Sequence, residues 1–270
     1  MAESRRMHRL SGGVVRFNMG KTLQWPAGAE VRQKNVPGGA MLYDASRAGN
    51  VEVEWFDPQW WRARGDVRPT AEGRGSALLI DADQRRLVLR HYRRGGWMSR
   101  FSHDRYRWHE ADTTRSFAEL HLLYLMRRAA LPVPVPLAAC YRRIGRHSYS
   151  ADLLTERIEA VTSLHKRLAA APVPLMGWIA IGRCLRRFHE DGVFHADLNA
   201  RNVLLDDQWR VWLVDFDRGD LRKPGLWCDA NLVRLRRSVE RITASLPAEH
   251  FSDADWASML DAYFAAAAAA

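Results

Sequence analysis

The stretch "HADLNARNVLLDDQWRVWLVDFDRG", His195–Gly219, carries the densest pattern in the chain. It reads as a tight turn with polar side chains, a short apolar strand, a small loop and a second apolar strand. Asp and Asn frame both strands, so His195, Asp197, Asn202, Asp215 and Asp217 come within one hairpin's reach. Phosphoryl transfer from a nucleotide calls for such a set. Mg²⁺ needs hard oxygen ligands, and the attacking hydroxyl needs a group that orients it and accepts its proton. A loop with Asp197 and then, five residues on, Asn202 can present a base and a metal ligand side by side. Asp215, 18 residues after Asp197, ends a strand that an antiparallel return brings back beside the loop. There it can hold the metal from the other side.

Outward from this stretch, the bulk numbers set bounds. The chain has 270 residues and is 47% hydrophobic, enough for one large core or two smaller ones. Charged residues make up 27%, which argues against wholesale disorder. The net charge is +10, and all the basic residues except Lys21, Lys34, Lys166 and Lys223 are arginines. Such a surplus suits nucleic acid, a phosphorylated ligand or an anionic membrane surface, or simply makes a solvated Arg-rich face. Cys140, Cys184 and Cys228 are odd in number and far apart, with neither a disulfide framework nor zinc-type spacing. A reducing compartment is expected. The start, "MAESRRMHRL", has no apolar core, so no secretory signal is expected. The longest mostly apolar run, Ala169–Gly182, is broken by Pro172 and Pro174 and is too short to span a bilayer. The expectation is a soluble or peripheral protein.

Residues 1–65 give little pattern beyond a short alternating run, Val51–Phe56, and an aromatic cluster of Trp55, Phe56, Trp60 and Trp61 that suits core packing. From Gly73 the pattern sharpens into a hairpin, with strands at Ala77–Ile80 and Leu87–Arg90. In "DTTRSFAELHLLYLMRRAA", Phe117, Leu120, Leu123 and Met126 recur at helical spacing, so an amphipathic helix is expected. Ser116 and Glu119 have capping-box spacing, although Thr113 or Thr114 can cap instead. The alternating prolines of "LPVPVPLAAC" forbid helix and suggest an extended edge segment. A strand at Ala151–Thr155, a polar connector, a helix through "GWIAIGRCLRRFHEDG" capped by Gly192, and one or two closing helices over 226–264 complete the order. The phosphate-loop-like "NMGKT" at Asn18–Thr22 lacks the required glycine, since Val15 stands in its place. Strands and helices do not alternate as in a doubly wound sheet. The reading is an α+β fold with a β-rich lobe followed by a mostly helical one. Its spans are an uncertain extension at 1–65, an N-lobe at 66–158 and a helical C-lobe at 159–270.

"HADLNARN" followed by "LVDFD" resembles the protein-kinase pattern of a His-x-Asp loop with a later Asn and an Asp-Phe-Gly strand end. More narrowly, several runs resemble the bacterial 3-deoxy-D-manno-octulosonic acid (Kdo) kinase family. They are "LRHYRRGG", "RSFAELHLL", "ADLLTERI", "IGRCLRRFHEDGVFHADLNARNVLLD" and "VWLVDFDRGDLRKPG", which together cover roughly residues 70–240. The resemblance implies a protein-kinase-like two-lobed fold using ATP and Mg²⁺. Asp197 would be the base, Asn202 and Asp215 the metal ligands, and His195 a tie between the loop and the strand end. Gly73 and Gly75 would lie in a nucleotide-covering turn. Glu119 would pair with a basic residue on the preceding strand that contacts the nucleotide phosphates. A kinase usually has Lys there, but this chain has none between Lys34 and Lys166. Arg90 holds the matching place, with Arg93, Arg94 and Arg100 as alternatives; Arg is not equivalent to Lys. Asp217 replaces the motif's Gly, either as ligand to a second Mg²⁺ or as a cap of its own turn.

Only 53 residues follow Asp217, little room for an activation segment and peptide-docking helices. A small-molecule or glycolipid hydroxyl is therefore the better acceptor. The resemblance points to the 4-hydroxyl of Kdo in Kdo-lipid A, in lipopolysaccharide core assembly. It also implies a peripheral position on the cytoplasmic side of the bacterial inner membrane. The basic runs Arg5–Arg9, Arg90–Arg94 and Arg234–Arg237 are candidate contacts to that anionic acceptor or the inner leaflet. Two rival readings stand beside it. One is a related sugar kinase acting on core heptose. The other is a basic nucleic-acid-binding protein with no use for Asp197, whose affinity would fall steeply with salt.

Overall fold

The computed structural model describes residues 14–16, 22–24, 30–68, 77–92, 106–107 and 111–265. Gly73, Gly75, Arg93, Arg94, Arg100 and the run Arg5–Arg9 lie outside the described residues. The chain forms two compact units. The first comprises Met1–Leu125 and Pro136–Arg157, the second Met126–Val135 and Ile158–Ala270.

The first unit opens with a small hairpin of β1 (Val14–Arg16) and β2 (Thr22–Gln24). Thr22 thus begins a strand, whereas a phosphate loop leads into a helix. The main element is a seven-stranded antiparallel sheet. Its strands are β3 (Val31–Val36), β4 (Gly39–Asp44), β5 (Ala77–Ala82), β6 (Arg85–His91), β7 (Tyr106–Arg107), β8 (Pro136–Ile144) and β9 (Ser148–Glu156). They run in the order β3-β4-β8-β9-β6-β5, and β7 pairs with the start of β9. The hairpin expected around residues 77–90 is the β5–β6 pair, with Ala77 opposite Arg90.

Residues 30–68, which gave little pattern, supply two of these strands and two short helices, α1 (Ala45–Ala48) and α2 (Pro58–Arg64). The run at Val51–Phe56 ends in a 3-10 turn over Val53–Phe56 rather than a strand. The rings pack as expected: Phe56 and Trp61 are buried, and Trp61 meets Trp55 and Trp60 edge-on.

Two expectations are corrected. The proline-rich segment leads not to an edge but to β8, an interior strand between β4 and β9. Pro136 takes its first position, and β4 pairs only from Ala138 onward, so the missing N–H breaks no ladder there. The helix after residue 114, α3 (Arg115–Arg128), is not one-sided. Ser116, Phe117, Glu119, Leu120, Leu122, Leu123, Tyr124 and Met126 are all buried, covering most of its circumference. The Ser116–Glu119 box does not form, because the Ser116 hydroxyl donates to the Cys140 carbonyl on β8 at 2.9 Å. Tyr124 donates to buried Asp44 at 3.0 Å. These bonds seat α3 on the sheet face that also carries Arg90, since strand alternation puts Arg90, Leu153, Ala139 and Asp44 on one side.

The second unit is mostly helical. Its helices are α4 (Leu164–Ala170), α5 (Leu175–Glu190), α6 (Leu226–Thr243) and α7 (Asp253–Ala265). Helix α5 buries Trp178, Ile181, Leu185 and Phe188 at helical spacing. Gly182 lets α7 approach so closely that a Cβ there would sit 2.1 Å from the Met259 carbonyl oxygen. Gly192, with φ +72°, ends α5 as expected by donating to His189 O at 3.1 Å. Short strands complete the unit: β10 (Thr162–Ser163) with β12 (Val203–Leu205) and β13 (Val211–Leu213), and β11 (Val193–Phe194) with β14 (Asp220–Leu221). All three cysteines are buried and free, and burial pushes the Cys140 and Cys184 thiols up to about 12. No helix among the described residues is long and apolar enough to cross a membrane.

Candidate active site

The loop after β11 carries alternating duties. Leu198 and Ala200 are buried beneath it, while Asp197 and Arg201 face solvent. His195 is buried, and the Asp197 N–H donates to its Nδ1 at 3.2 Å. That bond makes Nδ1 the acceptor, so Nε2 carries the hydrogen and donates to the Val214 carbonyl at 3.0 Å. One neutral imidazole thus ties the loop to the strand end before Asp215. Its ring also lies 4.7 Å from that of Phe216, which stacks on Phe188. With Phe216 in the core, its neighbour Asp215 is exposed and takes a left-handed backbone, φ 65°. Asp217 is half-buried.

Asn202 binds both sides of this arrangement. Its Nδ2 donates to the Asp197 carbonyl at 3.0 Å, and its own carbonyl accepts from the Val214 N–H at 3.1 Å. The structure therefore joins Asp197, Asn202 and the strand end bearing Asp215 through the β12–β13 hairpin read from the sequence. The hairpin's own turn is fixed by Asp206. Burial pushes its carboxyl up, but the Arg210 side chain and two backbone N–H groups outweigh that and hold it below the usual range.

The donor set suits Mg²⁺. With the Asn202 amide nitrogen engaged by Asp197 O, its oxygen end is left to face a cation, and Asp215 adds an exposed carboxylate. Among the described residues no group of three or more His, Cys, Asp and Glu could hold a metal by itself. An Asn, one Asp and phosphate oxygens would not form such a group.

Three residues of α6 reach this loop, and of these the sequence pointed only to Arg234, as part of the basic run Arg234–Arg237. Asn231, buried, accepts from the His195 N–H at 3.3 Å and donates to the His195 carbonyl at 3.0 Å. Arg234 Nη1 lies 3.9 Å from Asp197 Oδ1. Ser238 Oγ accepts from the Ala200 N–H at 3.1 Å. Positions 231, 234 and 238 follow one helical face, so α6 runs along the loop and touches it at three points. A polar stripe between Leu232, Leu235 and Val239 was the available signal. Asn199, also missed, donates to Asp197 Oδ2 at 3.1 Å and fixes the carboxylate's orientation.

In the first unit, Arg90 on β6 and Glu119 on α3 form an ion pair, both largely shielded from solvent. Tyr92 donates to Glu119 at 2.7 Å and lies under the Arg90 guanidinium. Burial and the Glu119 charge hold the Tyr92 hydroxyl well above its ordinary range. Arg90 is thereby turned to Glu119 rather than to the acceptor contacts suggested for the run Arg90–Arg94. A separate polar cavity of about 490 Å³ in this unit, lined by Arg47, Gln84, Arg85, Glu156 and Arg157 among others, contains none of the predicted site residues.

The β-rich unit with its strand-to-helix ion pair, then the helical unit with its His-x-Asp loop tied to an Asp-Phe strand end, define a protein-kinase-like phosphotransferase with a hydroxyl acceptor. The profile of the lipopolysaccharide kinase (Kdo/WaaP) family matches residues 58–263, and the chain belongs to that family. A 3-deoxy-D-manno-octulosonic acid kinase of Stenotrophomonas maltophilia (strain R551-3) is 48% identical over 208 residues, 76% of this chain and 81% of its own. One of Xanthomonas axonopodis pv. citri (strain 306) is 45% identical over 229 residues, 83% and 89% of the two chains. A solved structure of WaaP in complex with acyl carrier protein covers 74% of this chain and 78% of that one, at 19% identity and a TM-score of 0.49.

Proposed function

We propose that this chain transfers the γ-phosphoryl group of ATP to the 4-hydroxyl of Kdo in Kdo-lipid A during assembly of the lipopolysaccharide core. The names of the 45–48% identical relatives supply the acceptor. The observation that carries the reading is Asn202, bonded at once to Asp197 and to the strand end of Asp215.

Asp197 orients the sugar hydroxyl and takes its proton. Its carboxylate is held by Asn199 yet is 60% exposed, so an acceptor can reach it. Mg²⁺, held by Asn202 and Asp215, would neutralise phosphate charge. His195 and Asn231 keep the loop in shape and touch no reactant. Arg90, fixed by Glu119, offers its fork to nucleotide phosphates, where Arg binds in two-pronged fashion rather than as the point charge of a lysine. Catalysis is then mainly positioning and electrostatics, with no covalent enzyme intermediate. The net charge of +10 favours an acceptor that carries phosphates and a carboxylate in an anionic leaflet, so the site of action is the cytoplasmic side of the inner membrane, reached peripherally.

The test is incubation of the purified chain with Mg-ATP and Kdo-lipid A, with the lipid read by mass spectrometry. The expected product is heavier by one phosphate, and its formation slows by about 10³-fold in Asp197→Asn. No phosphate gain on Kdo-lipid A, with transfer to a heptose acceptor instead, would replace this reading by the sugar-kinase alternative. Full activity in Asp197→Asn would sink the mechanism.

A further inference from the structure

We propose that Arg234 is the residue that selects the acceptor, by binding the carboxylate of its sugar acid; this rests on the reading just given. Of the three α6 residues that meet the loop, Asn231 and Ser238 bond to its backbone and account for its shape. Arg234 does neither. At 3.9 Å its guanidinium is beyond hydrogen-bond reach of Asp197, and it makes no hydrogen bond among the described residues. Its side chain is 53% exposed, and an ion pair so placed adds little to stability. Nor is it needed to aim the Asp197 carboxylate, which Asn199 already holds through Oδ2. Its neighbour Arg236 is engaged by Glu240 and Asp253, and among the described residues Arg234 is the cation within 4 Å of the Asp197 carboxylate.

A half-exposed guanidinium next to the group that orients the acceptor hydroxyl is a receptor for an anion on the acceptor. Its planar fork of donors matches a carboxylate. In a 3-deoxy-octulosonic acid only C2 and C3 separate the carboxyl carbon from the hydroxyl-bearing C4. When that hydroxyl lies against Asp197, the carboxylate falls within reach of Arg234. A neutral sugar such as a heptose would leave the guanidinium without this partner, so the same contact separates acid from neutral acceptors.

The experiment compares Kdo-lipid A with its Kdo methyl ester, using the wild-type chain, Arg234→Ala and Arg234→Lys. Wild-type transfer to Kdo-lipid A decides the functional reading by itself, before any variant is considered. If it occurs, the expected results are these. Arg234→Ala raises the acceptor KM about 10- to 100-fold and changes kcat and the ATP KM less than about twofold. The wild type pays a similar penalty with the ester, Arg234→Ala pays none beyond its own, and Arg234→Lys recovers part of the loss. Three results overturn the inference. One is a fall in kcat with the acceptor KM unchanged, which would make Arg234 a positioner of Asp197. Another is a rise in the ATP KM, which would place it on the nucleotide phosphates. The third is an equal ester penalty in wild type and Arg234→Ala. Because the ester arm also uses the wild type, the inference stays testable even if a variant folds poorly.

Discussion

Arg90, the residue proposed to stand in for the usual kinase lysine, is held closely by its surroundings. Arg90 meets Glu119 from above the Tyr92 ring, so the planar cation is gripped at one end and supported on its face. Glu119→Ala would take the paired carboxylate away from Arg90 in a site where its side chain is only 15% exposed. The expected cost is about 3 kcal/mol, measured as a lower denaturant midpoint, together with a raised ATP KM. The family resemblance implied this pair, with Arg93, Arg94 and Arg100 left open beside Arg90, and both members lie on regular elements: a strand and a helix with a clear apolar repeat. Asp197, Asn202 and Asp215 were legible because their spacing serves one short hairpin. Asn231 and Ser238 were not, and Arg234 was visible only as part of the basic run Arg234–Arg237. On a helix, a polar residue turned towards a loop gives the same pattern as one turned towards water, and only the loop's position separates them.

At the scale of elements, α5 and α7 meet through a missing side chain. Gly182→Ala would drive a Cβ into the Met259 carbonyl, backbone that has little freedom to retreat. The expected loss is about 1–3 kcal/mol, read from urea unfolding, with the KM values of the surviving folded enzyme unchanged. The periodicity of α5 foretold its buried face but not this contact, since nothing local marks which helix will cross at Gly182. Strand β8 shows the converse. Proline density argued for an edge, yet Pro136 takes the first position of β8, before the first β4 pair and at the register shift in the pairing with β9. The same holds for α3, whose apolar repeat was visible while its enclosure on most sides was not.

For the whole molecule, two histidines contribute to the response to mild acid. Burial lowers His121 to about 4 from an ordinary 6.5. Burial likewise lowers His189 to about 4, with nearby Arg186 adding to the shift and an Asn231 hydrogen bond opposing it. Both are neutral when folded and take up a proton more readily when unfolded. Their stabilising effect is therefore complete above pH 6.5 and is lost as pH falls towards 4. Within that window stability should drop by up to about 1.4 kcal/mol per pH unit for each histidine, measured by chemical denaturation at pH 7, 6 and 5. A flat profile over this range would contradict the neutral state of both rings in the folded chain. The chain's path between its units has a consequence for dissection. Residues 126–135 belong to the second unit but lie in the sequence between two parts of the first. Their carbonyls serve distant partners: Pro132 O accepts from the Leu213 N–H and Ala130 O from the Arg187 side chain. A gene cut at residue 158 would strip the helical half of a ten-residue splint that β13 and α5 depend on, and leave that splint stranded on the other fragment. The two halves are thus separable in space but not in the reading frame, and single-domain shuffling between relatives would have to carry this insert along.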